Sequence, residues 1–217
     1  MKKVVLWINS FLLCFIVSLF VLNFYAFNRG FYSAEFSKNG VYEKMPEADA
    51  MAGDLAGYFL GKEKLAFAGS YSAEELIHLA DVKALFFREF LVFSAVLVLF
   101  AALMIFQYLI GGKLSRTVVL GSIIGLAVSA ILSVVAVFFD SSFVAFHKLL
   151  FSNSYWLLPE GSTLITLFPR QFFVDFFVSV IVLKLAISAA MLALCLGLRY
   201  RRQIRKYINK IAEYNKK

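Results

Sequence analysis

The chain has only two cysteines and two histidines. Cys14 and Cys195 both fall inside apolar runs, far from any oxidising loop. That placement argues against a disulfide framework and against a thiolate metal site. No glycine-rich phosphate loop, zinc-protease helix motif or internal repeat is present. Acidic residues are also few, 14 against 22 lysines and arginines, for a net charge of +8. The basic residues do not interleave with aromatics on a soluble face, so nucleic acid is not an expected partner.

What the chain has in quantity is apolar surface. Its hydrophobic fraction is 61% and its mean hydropathy +0.80, values that exclude an ordinary soluble domain and indicate a polytopic membrane protein. Four runs are long enough to cross a bilayer: Val4–Phe27, Phe90–Ile110, Val118–Phe139 and Phe172–Leu198. The first holds roughly 24 residues at about 1.5 Å each, more than the ~30 Å hydrocarbon layer requires. Lys2 and Lys3 before it resemble the start of a signal peptide, but the apolar core is too long for one, and an uncleaved helix is expected. Gly121, Gly125, Ser129 and Ser133 recur every four residues on the third run, a small-residue seam for close helix packing.

Lysine and arginine placement sets the expected orientation. The short link Gly111–Thr117 holds Lys113 and Arg116, and the tail holds Arg199, Arg201, Arg202, Arg205, Lys206, Lys210, Lys216 and Lys217. The segment Asn28–Glu89 is slightly acidic and Asp140–Gln171 is balanced. The positive-inside bias then puts both termini in the cytoplasm and both long segments outside. The tail is read as a juxtamembrane helix attracted to anionic lipid. The expected fold is all-α: a four-helix transmembrane bundle with a small, mostly helical extracytoplasmic cap. Its parts are transmembrane helix 1 at residues 1–27 and a cap segment at 28–89. Helices 2 and 3 with a short cytoplasmic link occupy 90–139, followed by a second outer segment at 140–171. Helix 4 spans 172–198 and the basic cytoplasmic tail 199–217.

Within the cap segment, Met45–Leu60 follows a helical pattern, with Pro46 near its start and Gly61 just past its end. Ala48, Met51, Ala52, Leu55, Ala56 and Phe59 share one apolar face. Ser72 followed by Glu75 is a capping-box signature, opening a helix that runs on into the second span. His78 is on this helix, and Glu74, Asp81 and Leu85 share its face. His147 follows the third span, with Phe143, Phe146, Leu150 and Phe151 around it at helical spacing. Asn153, Tyr155 and Trp156 come next, residue types that settle at a membrane–water boundary. Topology thus brings both histidines to the outer surface at similar depth.

Neither cysteine is placed as a nucleophile, so any catalysis would use histidine as general base and acid on a nucleophile supplied by substrate or water. Histidines with Asp or Glu can also hold zinc, but two histidines without ligand spacing are a weak signal, and no metal or cofactor is expected. Asp81 has two readings, a hydrogen-bond acceptor for an imidazole or a surface partner of His78 or Lys83. Asp175, in the first turn of the fourth span, is either functional or an acid favoured by the helix dipole. Arg170 and Gln171 at the outer mouth could donate to an oxyanion, or Arg170 could be an interfacial anchor. Lys184, nearer mid-membrane, is expected to pair within the bundle or snorkel.

The stretches EELIHLADVKALF at Glu74–Phe86 and FHKLLFSNSYWLLPEGSTLITLFP at Phe146–Pro169 resemble the lipoprotein intramolecular transacylases of bacterial plasma membranes. The four-span layout with a large first outer segment is similar as well. The resemblance implies an enzyme that moves the sn-2 acyl chain of a diacylglyceryl lipoprotein onto the α-amine of its N-terminal cysteine, giving a lyso-form lipoprotein. It implies membrane lipids as neighbours, and a monomer is expected. The catalytic candidates are His78, His147 and Asp81. His147 is favoured as base because apolar neighbours keep an imidazole neutral, with the reverse division of labour open. Phe146, Asn153, Tyr155, Trp156, Arg170 and Asp175 are the substrate-binding candidates, Asn153 also as an oxyanion donor. Two rival readings stand beside this one: a non-catalytic membrane accessory protein whose outer cap binds a partner, and a membrane ester hydrolase or metal-dependent lipid enzyme.

Overall fold

The structure is a computed structural model that describes residues 1–214. Lys216 and Lys217 of the basic tail lie outside the described residues. The chain is all-helical, and no strand occurs among the described residues. In order the helices are α1 (Lys2–Ala26), α2 (Arg29–Lys38), α3 (Val41–Lys44), α4 (Ala48–Phe59), α5 (Ala73–Leu109), α6 (Leu114–Val137), α7 (Phe139–Leu150), α8 (Thr163–Leu167) and α9 (Arg170–Tyr214). Four of them, α1, α5, α6 and α9, are long and apolar enough to cross a membrane. With 37 residues, α5 is about 55 Å long, well beyond the ~30 Å hydrocarbon layer.

Two compact units can be distinguished. One comprises Met1–Ser18, Val96–Ala130 and Leu183–Lys217. Asn9, Gln107 and Thr117 of this unit are paired helix to helix, which spares their amides the desolvation penalty of lone groups in hydrocarbon. Asn9 donates to Gln107 Oε1 at 2.7 Å and to the Leu103 carbonyl at 3.2 Å, and Gln107 Nε2 donates to Thr117 Oγ1 at 2.9 Å. Gly121, Gly125 and Ser129 of the small-residue seam are buried. A Cβ on Gly121 would meet Leu13 Cδ2 at 2.9 Å and the Ser10 carbonyl at 3.1 Å, so α1 packs there against bare backbone. Ser133 is exposed, and the buried part of the seam ends before it. Lys184 departs from expectation. It neither snorkels nor pairs: it is 1% exposed, and Nζ has no hydrogen-bond partner among the described residues.

The other unit comprises Leu19–Ala95 and Ile131–Val182. Its core gathers Phe36, Val41, Met51, Leu55, Leu79, Leu167 and Phe172 from α2, α3, α4, α5, α8 and α9. The face of α4 predicted from periodicity supplies Ala48, Met51, Ala52 and Leu55 to that core. Past the end of α4, Gly61 has φ +115°, a left-handed conformation that glycine adopts without a Cβ clash. Asp54 fixes the following loop, accepting from Lys62 Nζ at 2.6 Å and from the Ala66 and Phe67 amides at 2.6 and 3.2 Å.

The start of α5 carries the reciprocal capping box. The Ser72 amide donates to Glu75 Oε2 at 2.7 Å, and the Glu75 amide donates to Ser72 Oγ at 3.2 Å. Glu75 does more than cap. Its Oε1 accepts from the Leu164 amide at 2.7 Å, tying α8 to α5. The chain also breaks at Phe138, inside the expected third span, and α7 begins at Phe139 with Asp140 in its first turn. An acid there is favoured by the helix dipole, and a continuous apolar run in the sequence conceals the break.

Candidate active site

Two helices bring the histidines together. His78 is in the second turn of α5 and His147 near the C-terminal end of α7. Their ring centroids are 6.2 Å apart with the planes inclined at 36°. Aromatic rings enclose the pair. Phe143 lies 4.1 Å from His147, Trp156 4.9 Å and Phe146 5.6 Å, centroid to centroid. Phe151 reaches both imidazoles, at 5.2 Å from His78 and 5.7 Å from His147. His147 is the buried residue of α7.

A hydrogen bond sets the state of one ring of the pair. His147 Nδ1 is 2.8 Å from the carbonyl of Phe143, one helical turn back. A carbonyl can only accept, so Nδ1 carries the proton and Nε2 keeps a free lone pair. Burial pushes the His147 pKa below its ordinary value, with the bond to Phe143 opposing the shift. His147 is thus a neutral imidazole at physiological pH. His78 Nδ1 is buried and has no hydrogen-bond partner among the described residues. No protein group fixes the tautomer of that ring through Nδ1.

Asp81, one turn beyond His78, bonds to neither imidazole. Its Oδ2 accepts from Asn153 Nδ2 at 2.8 Å. Lys83 does not pair with it either; it donates to the Lys62 carbonyl at 2.6 Å and sits 4.1 Å over the Tyr58 ring. Asn153 in turn organises the loop after α7. Its Oδ1 accepts from the Tyr155 amide at 3.1 Å, and its carbonyl accepts from Trp156 Nε1 at 3.1 Å. The indole that packs on His147 is therefore held to α5 through Asn153 and Asp81.

A sequence model of the lipoprotein intramolecular transacylase Lit family matches residues 6–173. The chain belongs to this family. The match takes in both histidines, Asp81, Asn153 and Trp156, and stops short of Asp175. Among solved structures, the chain is similar to the membrane-integral lipoprotein intramolecular transacylase Lit of Bacillus cereus. The two share 24% identity and a TM-score of 0.80, over 95% of this chain and 97% of that one. Histidine-to-arginine and histidine-to-alanine variants of that protein match with TM-scores of 0.79. Their identities are 21% and 22%, over 94% of this chain and 95% and 96% of theirs. A comparison with curated protein sequences gives no match.

Not every transacylase candidate joins the imidazole cluster. Arg170 forms a two-pronged ion pair with Asp140, at 2.5 and 2.9 Å, with both side chains exposed. Asp175 accepts from Lys38 Nζ at 2.5 Å and from Gln171 Nε2 at 3.0 Å. These bonds tie α9 to α7 and α2, and Gln171 is engaged there as well. Tyr155 is exposed and lines an open cleft of about 670 Å³, whose other walls come from within residues 70–75 and 154–163. Among the described residues no group of three or more His, Cys, Asp or Glu is placed to hold a metal. The reading from sequence missed the Phe143 carbonyl that sets the His147 tautomer. The signal was available, since a residue four before a helical histidine presents its carbonyl to that side chain.

Proposed function

We propose that this transacylase moves the sn-2 acyl chain of a diacylglyceryl lipoprotein to the α-amine of its N-terminal cysteine, with His147 as base and His78 as its partner. The single observation that carries the reading is the meeting of two imidazoles from remote stretches, 6.2 Å apart inside an aromatic enclosure. Donor and acceptor belong to one molecule, so no nucleophile from the protein is needed. The amine nitrogen attacks the sn-2 ester carbonyl carbon while His147 Nε2 takes the amine proton. The tetrahedral intermediate then collapses, breaking the bond between the carbonyl carbon and the sn-2 oxygen. His147 Nε2 gives the proton it took to the departing oxygen, which His78 hydrogen-bonds, and both rings finish as they began.

The closing ring contains the amine, Cα, Cβ, sulfur, two glyceryl carbons, the ester oxygen and the carbonyl carbon. Such a medium ring closes reluctantly unless its atoms are held folded. A close-fitting aromatic pocket supplies that orientation, an effect of up to roughly 7–11 kcal/mol, and a positioned base adds about 10²–10⁴ in rate. The Asn153–Asp81 bond supports a positioning role for both residues, since it seats Trp156 against His147. Phe146 would line the acyl path. The charge bias of links and tail supports cytoplasmic termini and a site at the outer membrane boundary.

A crossover experiment tests the reaction class. Purified protein is given a mixture of two diacylglyceryl lipopeptides, one heavy in its sn-2 chain and the other heavy in its peptide. Intramolecular transfer yields N-acyl products in which the labels never combine. Mixed products would indicate transfer between molecules, and free fatty acid would indicate an ester hydrolase.

A further inference from the structure

We propose that the cleft beside the histidine pair holds the polypeptide that follows the lipidated cysteine, as an extended chain. This rests on the transacylase reading and names where the rest of its substrate goes. If the cysteine amine sits between the imidazoles, the chain behind it must leave the aromatic enclosure. A polypeptide cannot lie among those rings, because its amides and carbonyls would lose water without gaining hydrogen bonds. It needs a polar exit adjoining the histidines.

A polar cleft of about 670 Å³ is walled by the chain segments next to the histidine site. That volume is in the usual range for ligand sites. One wall is the first turn of α5, with Ser72 and Glu74, about one turn before His78. The other is the loop that continues from Asn153 and Trp156, including Ser154, Glu160, Ser162 and Thr163. The segments that carry the imidazole site are thus also the walls of the cleft. Two bonds hold the walls together: the Leu164 amide to Glu75 at 2.7 Å, and Thr163 Oγ1 to the Ser70 carbonyl at 2.5 Å. Hydroxyls on the walls suit a peptide backbone, which offers alternating donors and acceptors. Ser162 Oγ is buried and has no hydrogen-bond partner among the described residues.

The charge of the cleft gives a specificity. Glu74 and Glu160 are exposed, and neither has an ion-pair partner among the described residues. The cleft therefore prefers lysine or arginine to glutamate in the positions after the cysteine. Exposed charge pairs are weak, so each contributes only about two- to fivefold.

The test uses the full-length protein in detergent with three substrates. These are diacylglyceryl cysteine amide and two pentapeptides with lysines or glutamates after the cysteine. The expected order of kcat/KM is lysine peptide, glutamate peptide, then the amide. In the Glu74→Lys, Glu160→Lys double variant the lysine-to-glutamate ratio inverts, while Glu63→Lys, exposed outside the cleft, leaves the ratio as it was. In parallel, a photoreactive residue at the third position of the peptide is cross-linked to the His147→Asn variant. The expected labels fall within residues 70–75 and 154–163. An unchanged ratio in the double variant, or cross-links that map elsewhere, overturns the cleft assignment. Labels in the cleft with no turnover of any substrate by the wild type leave the cleft standing and sink the transacylase chemistry instead.

Discussion

The bond between His147 Nδ1 and the Phe143 carbonyl decides which nitrogen can act. It commits one ring nitrogen as a donor and leaves Nε2 with a free lone pair. Burial holds the His147 pKa below its ordinary value, so the neutral form persists to a lower pH than a free imidazole allows. The His147 ring should stay neutral until the solution is acidified past the usual histidine range. Its imidazole titration, followed by NMR, checks this, and a midpoint above the ordinary value of about 6.5 would count against His147 as the base. Asp81 and Asn153 hold Trp156, which packs on His147. Asp81→Asn and Asn153→Ala should each lower kcat by about tenfold. The double variant should be no worse than either alone, a coupling of about 1.4 kcal/mol in a double-mutant cycle. Additive losses would mean that the two residues act separately.

Helix ends and helix seams explain what was legible in the sequence and what was not. The capping box at Ser72 and Glu75 was readable because its two bonds are local and reciprocal. The second bond of Glu75, to the Leu164 amide 89 residues away, was not readable from spacing. The break at Phe138 was hidden because the bilayer-length pattern looks the same on either side of it. Arg170 and Asp175 were expected to face substrate because charges near a membrane mouth often do. They pair with Asp140 and Lys38, charges from sequence-distant helices that periodicity does not bring together. The seam on α6 was legible through its four-residue repeat, as far as burial extends. Its tightest point gives a prediction: Gly121→Leu must displace Leu13 and the Ser10 carbonyl and should cost about 1–3 kcal/mol. Gly197→Leu meets open space and should be neutral. Thermal unfolding in detergent compares them, and equal losses would mean that the seam is not a packing constraint.

At the scale of the whole molecule, composition and run lengths sufficed for an all-helical chain with four spans, because hydrocarbon forces backbone groups to bond within helices. The meeting of His78 and His147 was reachable only by adding orientation to those spans. That orientation has its own test in a background where both native cysteines are replaced. A membrane-impermeant maleimide should label Glu63→Cys in intact cells and Arg202→Cys only after permeabilisation. The reverse pattern would place the histidine pair at the cytoplasmic face. The most direct measurement of the central claim follows a labelled sn-2 chain by mass spectrometry in wild type, His78→Asn and His147→Asn, all purified and folded. The account predicts label on the cysteine nitrogen in the wild type and a loss of about 10²–10⁴ in rate for His147→Asn, with His78→Asn also impaired. Full transfer in both variants would contradict it.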